Sequence, residues 1–152
     1  MLENLRKLLF GDDTADQAKL KHDEVQYAAA LLLLEAASMD GSVDAQEHTR
    51  IRELLGKRFA LSRVDAELLM ADASADLDRR VEIYGPSRVL KDAFDYDQRI
   101  ELLEMLWDVV YADGVMHDYE ANVMRRLSGL LYVDDQDSGA ARKRVMQRLG
   151  LD

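Results

Sequence analysis

Glu35-Ala36-Ala37-Ser38-Met39-Asp40-Gly41, followed by Glu47, and Asp108-Val109-Val110-Tyr111-Ala112-Asp113-Gly114, followed by Glu120, are two versions of one pattern. Each closes an apolar helical stretch with Asp-Gly and places a glutamate in the first turn of the next helix. Glycine adopts left-handed backbone geometry without steric cost and so ends a helix. The glutamate suits the positive end of the following helix dipole. Three acidic positions recur at equal spacing: Glu35 with Asp108, Asp40 with Asp113, and Glu47 with Glu120. Arg52 matches Arg125 and Leu54 matches Leu127 in the same register. The pattern reads as an internal duplication of a helical hairpin, over about residues 25–60 and 98–131.

Working outward, the first hairpin begins in a strong helix over residues 23–39, with Asp23 as its expected cap and Val25, Ala29, Leu32, Leu33 and Ala36 on one face. Asp44-Ala45-Gln46-Glu47 has the spacing of a capping box, and Ile51, Leu54, Leu55 and Phe59 follow at core spacing. Ser62 opens a helix with Val64, Leu68 and Leu69. Gly85-Pro86 interrupts the helical pattern, because proline lacks the N–H and disfavours helix before it. A short helix with Val89, Leu90 and Phe94 leads to Asp95-Tyr96-Asp97-Gln98, which supplies turn and cap chemistry. The second hairpin carries Ile100, Leu103, Leu106, Trp107 and Val110, then Val123, Met124, Leu127, Leu130 and Leu131. Residues 134–139 read as a loop and 140–149 as a short basic helix with Arg142, Lys143, Arg144 and Arg148. That basic helix is expected to be a solvated face or a contact with the acidic domain. At the other end, Leu2, Leu5 and Leu9 share a face of a short helix, and residues 11–21 read as a polar linker. The expected architecture is all-α: a compact bundle of about six or seven helices, with residues 1–22 as a short helix and linker and 23–152 as one helical domain.

A chain of 152 residues with 48% hydrophobic content suits a single domain with an ordinary core. Its 20 basic and 30 acidic residues leave a net charge of -10, which opposes binding to nucleic acid and favours cations and basic partners. There are no cysteines, so disulfides, thiolate catalysis and Cys-ligated zinc are excluded. The longest apolar run, residues 28–34, falls far short of the roughly 20 residues of a membrane span. The start, Met1-Leu2-Glu3-Asn4-Leu5-Arg6, lacks the features of a signal peptide, and a cytoplasmic location is expected.

The chemistry worth weighing is carboxylate chemistry. Hard cations such as Ca²⁺ and Mg²⁺ take several oxygen ligands. In each hairpin an aspartate at the turn, a glutamate in the next helix and an acid a little over one turn back can converge. Clustered carboxylates repel one another, and a cation relieves that. The set resembles only the second half of an EF-hand loop. Its first and third ligand positions would fall on Ala36 and Ser38, and on Val109 and Tyr111, so a true EF-hand is rejected. Two readings stand open at this point: functional use of the triplets, or helix capping and turn chemistry. His117 lies near Asp113 and Glu120 and is an additional candidate ligand. No His-Glu-x-x-His or Glu-x-x-His motif, phosphate loop or nucleophile elbow is present. Trp107 reads as core.

The run Asp95-Tyr96-Asp97-Gln98-Arg99-Ile100-Glu101-Leu102-Leu103-Glu104-Met105-Leu106-Trp107, leading to Tyr111-Ala112-Asp113-Gly114 and Tyr119-Glu120, resembles the TerB-like tellurite-resistance family, in particular its stand-alone bacterial members. Glu35 through Asp40-Gly41 to Glu47 resembles the first copy of the same motif. The likeness covers about residues 23–150 and departs from the family pattern at Met39 and at Met116-His117. It implies an all-helical fold with acidic residues near the two turns and divalent-cation binding at Glu35, Asp40, Glu47, Asp108, Asp113 and Glu120. It also implies a bacterial cytoplasmic protein acting with a protein partner, at the inner face of the membrane, in a stress-response assembly.

The expected function is therefore a non-enzymatic interaction or sensing module whose acidic hairpins take a divalent cation: Ca²⁺, Mg²⁺, Mn²⁺ or Zn²⁺. The alternatives are a structural adaptor that needs no metal, and a metal-assisted hydrolase holding a water at Asp113 and Glu120.

Overall fold

The computed structural model describes residues 14–38, 43–78, 84–112 and 118–151. These form seven helices and no strand: α1 (Thr14–Ala37), α2 (Ala45–Phe59), α3 (Arg63–Asp78), α4 (Tyr84–Ala93), α5 (Tyr96–Val110), α6 (Asp118–Leu130) and α7 (Asp135–Arg148). The expected all-α class and both hairpins are present, α1–α2 and α5–α6.

The bundle is built around α1. Its stretch Ala28-Ala29-Ala30-Leu31-Leu32-Leu33-Leu34 is buried on every side rather than along one stripe. A helix apolar all round belongs at the centre of a core, and α1 packs against α2, α3, α4, α5 and α6. Ile51 and Leu55 of α2, Met70 of α3, Leu90 of α4, Leu102, Leu103 and Leu106 of α5, and Met124 and Leu127 of α6 complete that core. Burying one such side chain is worth roughly 1.5–3 kcal/mol. Trp107 is core, as its surroundings in the sequence suggest, and its ring lies 5.9 Å from that of Tyr111.

Local chemistry explains the starts and stops. α2 and α5 both open with complete capping boxes. Asp44 accepts from the Glu47 N–H at 2.7 Å while Glu47 accepts from the Asp44 N–H at 3.1 Å, and Asp95 and Gln98 do the same at 2.9 Å each way. Ser62 caps α3 by accepting from the Asp65 N–H. Pro86 sits in the first turn of α4, where its missing N–H has no intrahelical role. α2 ends with Ala60 in left-handed geometry, φ 54°, and the Leu61 N–H donates to the Gly56 carbonyl at 3.0 Å.

Two expectations need correction. The helix read from residue 23 starts at Thr14, so the segment read as linker is helical from that point and the boundary at residue 22 falls inside α1. Ala15, Gln17, Ala18, Lys19, Leu20 and Lys21 are good helix formers with no glycine or proline among them, and Asp23 is an interior residue rather than a cap. The last helix starts at Asp135, not near residue 140. Asp135 and Asp137 favour the positive end of α7. The Asp137 carboxylate accepts from the Tyr96 hydroxyl at 2.5 Å, which in turn accepts from the Asp134 N–H at 3.2 Å. Ser138 and Ser128 share a buried hydroxyl–hydroxyl bond of 2.8 Å, fixing α7 to α6.

Candidate functional site

The start of α2 lies beside the end of α5. The start of α2, through Ala45, Gln46, Thr49, Arg50 and Glu53, lines a surface hollow of about 460 Å³ with Ala112, which follows the last turn of α5. The end of the first helix of one hairpin therefore meets the beginning of the second helix of the other. The candidate residues divide at this seam. Glu35, Glu47, Asp108 and Glu120 lie within the described residues; Asp40, Asp113 and His117 lie outside them.

Asp108 occupies the seam and is 4% exposed. One carboxylate oxygen, Oδ2, accepts from Nη2 of Arg148 on α7 at 3.1 Å. The other, Oδ1, lies 3.2 Å from Nε of Arg50 on α2. That second approach is close enough for strong Coulomb attraction but misaligned for a hydrogen bond, and Oδ1 is a buried acceptor without one. Asp108 thus ties together α2, α5 and α7. The basic face of α7 continues the same role: Arg144 Nε donates to Glu104 at 3.0 Å, and Arg142 Nε donates to the Tyr111 hydroxyl at 2.7 Å while its guanidinium lies over the Trp107 ring. Of the two expectations for α7, contact with the acidic domain is the one observed. Neither Arg50 nor Arg148 was singled out as a partner of Asp108. They come from different helices, and the only signal in the sequence was the run of basic residues after an acidic domain.

Glu35 stands at the equivalent position of the first hairpin but in different surroundings. It is half-buried and lines a cavity of about 550 Å³ with Ser38, His48, Glu67 and Ser74. The residue matching Arg50 in the second hairpin is Val123, so Glu35 meets no arginine from the corresponding place. In the same cavity His48 Nε2 lies 2.9 and 3.2 Å from the two Glu67 oxygens, and Arg52 Nη1 donates to Glu67 at 3.0 Å. The Arg52 hydrogen bond, followed by that of His48, holds the Glu67 carboxyl below its ordinary range. Tyr96 moves the other way: its bond to the Asp137 carboxylate raises the phenol above its usual value.

Glu47 closes the capping box of α2 with one of its oxygens. Glu120 is 8% exposed in the first turn of α6 and has an internal partner. Among the described residues no three His, Asp or Glu side chains gather closely enough to hold a metal ion. The described carboxylates alone therefore do not form a coordination set.

A family model described as tellurite resistance protein TerB matches residues 26–143, which takes in both hairpins and most of α7. No curated protein and no solved structure matches the chain. Among the described residues no helix is long and apolar enough to cross a membrane.

Proposed function

The chain belongs to the TerB family, and from that premise we propose that it is a non-enzymatic binding module of a tellurite-resistance-like system, with the joined turn end as its ligand-facing surface. The observation that carries this reading is the meeting of the start of α2 with the end of α5, the helix ends next to which the two Asp-Gly segments stand in the sequence. Acidic residues gathered on one surface repel one another, and a cation or a basic group relieves that. A hard divalent cation is the ligand class that carboxylates suit. Asp40 with Glu47 and Asp113 with Glu120 would supply its oxygens. Asp108 is better suited to a supporting role, because arginines already flank both its oxygens. A bound cation would fix the two turns against each other and so present a defined surface to a protein partner.

Calorimetric titration of chelator-treated protein with Ca²⁺, Mg²⁺, Mn²⁺ and Zn²⁺ tests this. The expected result is saturable binding by at least one ion, lost in Asp40→Asn/Asp113→Asn, which changes turn residues and leaves the ion pairs of Asp108 in place. The same ion should raise Tm, since a ligand that binds only the folded state stabilises it. Absence of binding by all four ions defeats the cation reading. A second reading, an adaptor that needs no metal, is favoured by the internal engagement of Asp108, Glu47 and Glu120. It predicts partner binding that salt weakens and chelator leaves unchanged.

A further inference from the structure

The outer face of α3 presents Val64 and Leu68, 67% and 61% exposed, one helical turn apart and pointing away from the core. The core side of the same helix is fully served by Ala66, Met70 and Ala73. Val64 and Leu68 are therefore surplus to folding. Their neighbours in the helix, Asp65 and Leu69, line a groove of about 550 Å³ between α1 and α3, where Tyr27, Leu61 and Leu69 give an apolar floor and Glu24, Asp65 and Asp72 an acidic rim. The sequence of the helix holds five acidic residues, Asp65, Glu67, Asp72, Asp76 and Asp78, against a single basic one, Arg63. Glu67 is held by Arg52 and His48, but Asp65 and Asp72 have no ion-pair partner among the described residues.

We propose that this face is a docking surface for an amphipathic helical segment of a partner protein, with aliphatic residues on one side and lysines or arginines flanking them. The charge pattern selects that occupant. An aliphatic stripe seats on Val64, Leu68 and the groove floor, and its basic flanks meet Glu24, Asp65 and Asp72. Burial supplies the affinity and charge sets the orientation and encounter rate. The surface is separate from the turn end and requires no cation.

The test uses the full chain in chelator at physiological salt, with anisotropy of a labelled synthetic leucine–lysine helical peptide as the readout. A peptide of the same composition, shuffled to destroy the apolar stripe, is the control. The amphipathic peptide should bind about tenfold more tightly than the shuffled one. Val64→Ser/Leu68→Ser and, separately, Asp65→Asn/Asp72→Asn should each weaken it about fivefold or more. Tyr132→Ser, which alters an exposed aromatic elsewhere, should leave affinity unchanged. All these positions lie at the surface, and circular dichroism confirms that each variant is folded. Equal binding of the two peptides, or undiminished binding by Val64→Ser/Leu68→Ser, overturns the proposal. So does self-association of the unliganded chain that the same pair abolishes, because the face would then be occupied by a second copy. Since chelator is present throughout, failure here is distinct from failure of cation binding at the turns.

Discussion

Asp108→Asn is the substitution that most directly probes the seam between the hairpins. Its carboxylate is almost wholly buried, yet Arg50 and Arg148 are 38% and 52% exposed at their side chains. Breaking a fully buried ion pair by removing one partner costs roughly 3–5 kcal/mol, whereas an exposed pair is worth about 0–1 kcal/mol. This case lies between, because both arginines can turn to water once the acid is gone. Asparagine keeps one acceptor for one arginine and sets an NH₂ donor against the other. The charge that strengthens the Arg148 bond and attracts Arg50 is then lost, an effect of the order of the about 1.5–3 kcal/mol that a bond to a charged group is worth. The expected cost is about 2–3 kcal/mol. For a chain of this size that lowers Tm by roughly 4–10 °C. Urea unfolding should show a lower midpoint at unchanged slope, meaning that the native state alone is weakened. The decisive comparison repeats Asp108→Asn in an Arg50→Met/Arg148→Met background. If the arginines are the partners, the cost there falls by more than about 1 kcal/mol. An equal cost in both backgrounds would refute the cross-link, and so would a cost below about 0.5 kcal/mol in the parent chain.

Other consequences follow from the same geometry. Ala60→Gly should raise stability by about 0.5–1 kcal/mol in urea unfolding, because residue 60 sits at φ 54° and glycine takes that conformation without Cβ strain. Tyr96→Phe removes the bonds to Asp137 and to the Asp134 N–H and should lower the urea midpoint near neutrality. The Tyr96 phenol titrates above its ordinary 10.0 in the folded state, so its contribution is whole below pH 10. The parent's advantage over Tyr96→Phe should therefore shrink as pH rises through the folded-state value, as read by stability against pH. The opposite sign holds at Glu67, whose carboxyl is depressed from 4.5 by Arg52 and His48. Any advantage of the parent over Glu67→Gln should be present above pH 4.5 and disappear as pH falls through the lower folded-state value. Leu103→Ala, at a fully buried position of α5, should cost about 2–5 kcal/mol by urea unfolding.

The fold was legible where local chemistry and long-range packing agree. Asp44 with Glu47 and Asp95 with Gln98 announce α2 and α5 by spacing alone, and the structure realises both boxes in full. Of the apolar positions read for α5 and α6, Leu103, Leu106, Trp107, Val110, Met124, Leu127 and Leu131 are buried, while Ile100, Val123 and Leu130 are only partly so. Reading failed where only packing decides. The four aliphatic and three alanine residues of 28–34 look in one dimension like a strong amphipathic helix. Their burial on every side depends on five other helices closing around α1. The start of α7 was missed because Asp-Gln-Asp-Ser-Gly has loop composition. What makes it helical is a tyrosine on α5 and a serine on α6.

The candidate site shows the same division more sharply. The duplication predicts that Glu35 and Asp108 are equivalents, and in sequence they are. In space the equivalence is broken by the neighbours: α2 offers Arg50 to Asp108, while α6 has Val123 at the matching place, and α7 adds Arg148. One acid is thereby converted into a buried tie between three helices, and the other is left lining a cavity with His48 and Glu67. Repetition in a sequence preserves the backbone that carries a residue, but not the neighbours that settle its charge. Those neighbours lie on other helices and are free to change independently of the repeat. Glu35 and Asp108 therefore stand in two different environments. The turn aspartates Asp40 and Asp113 are the pair for which symmetry remains the natural expectation, and so they are the residues on which a cation-binding test should be placed.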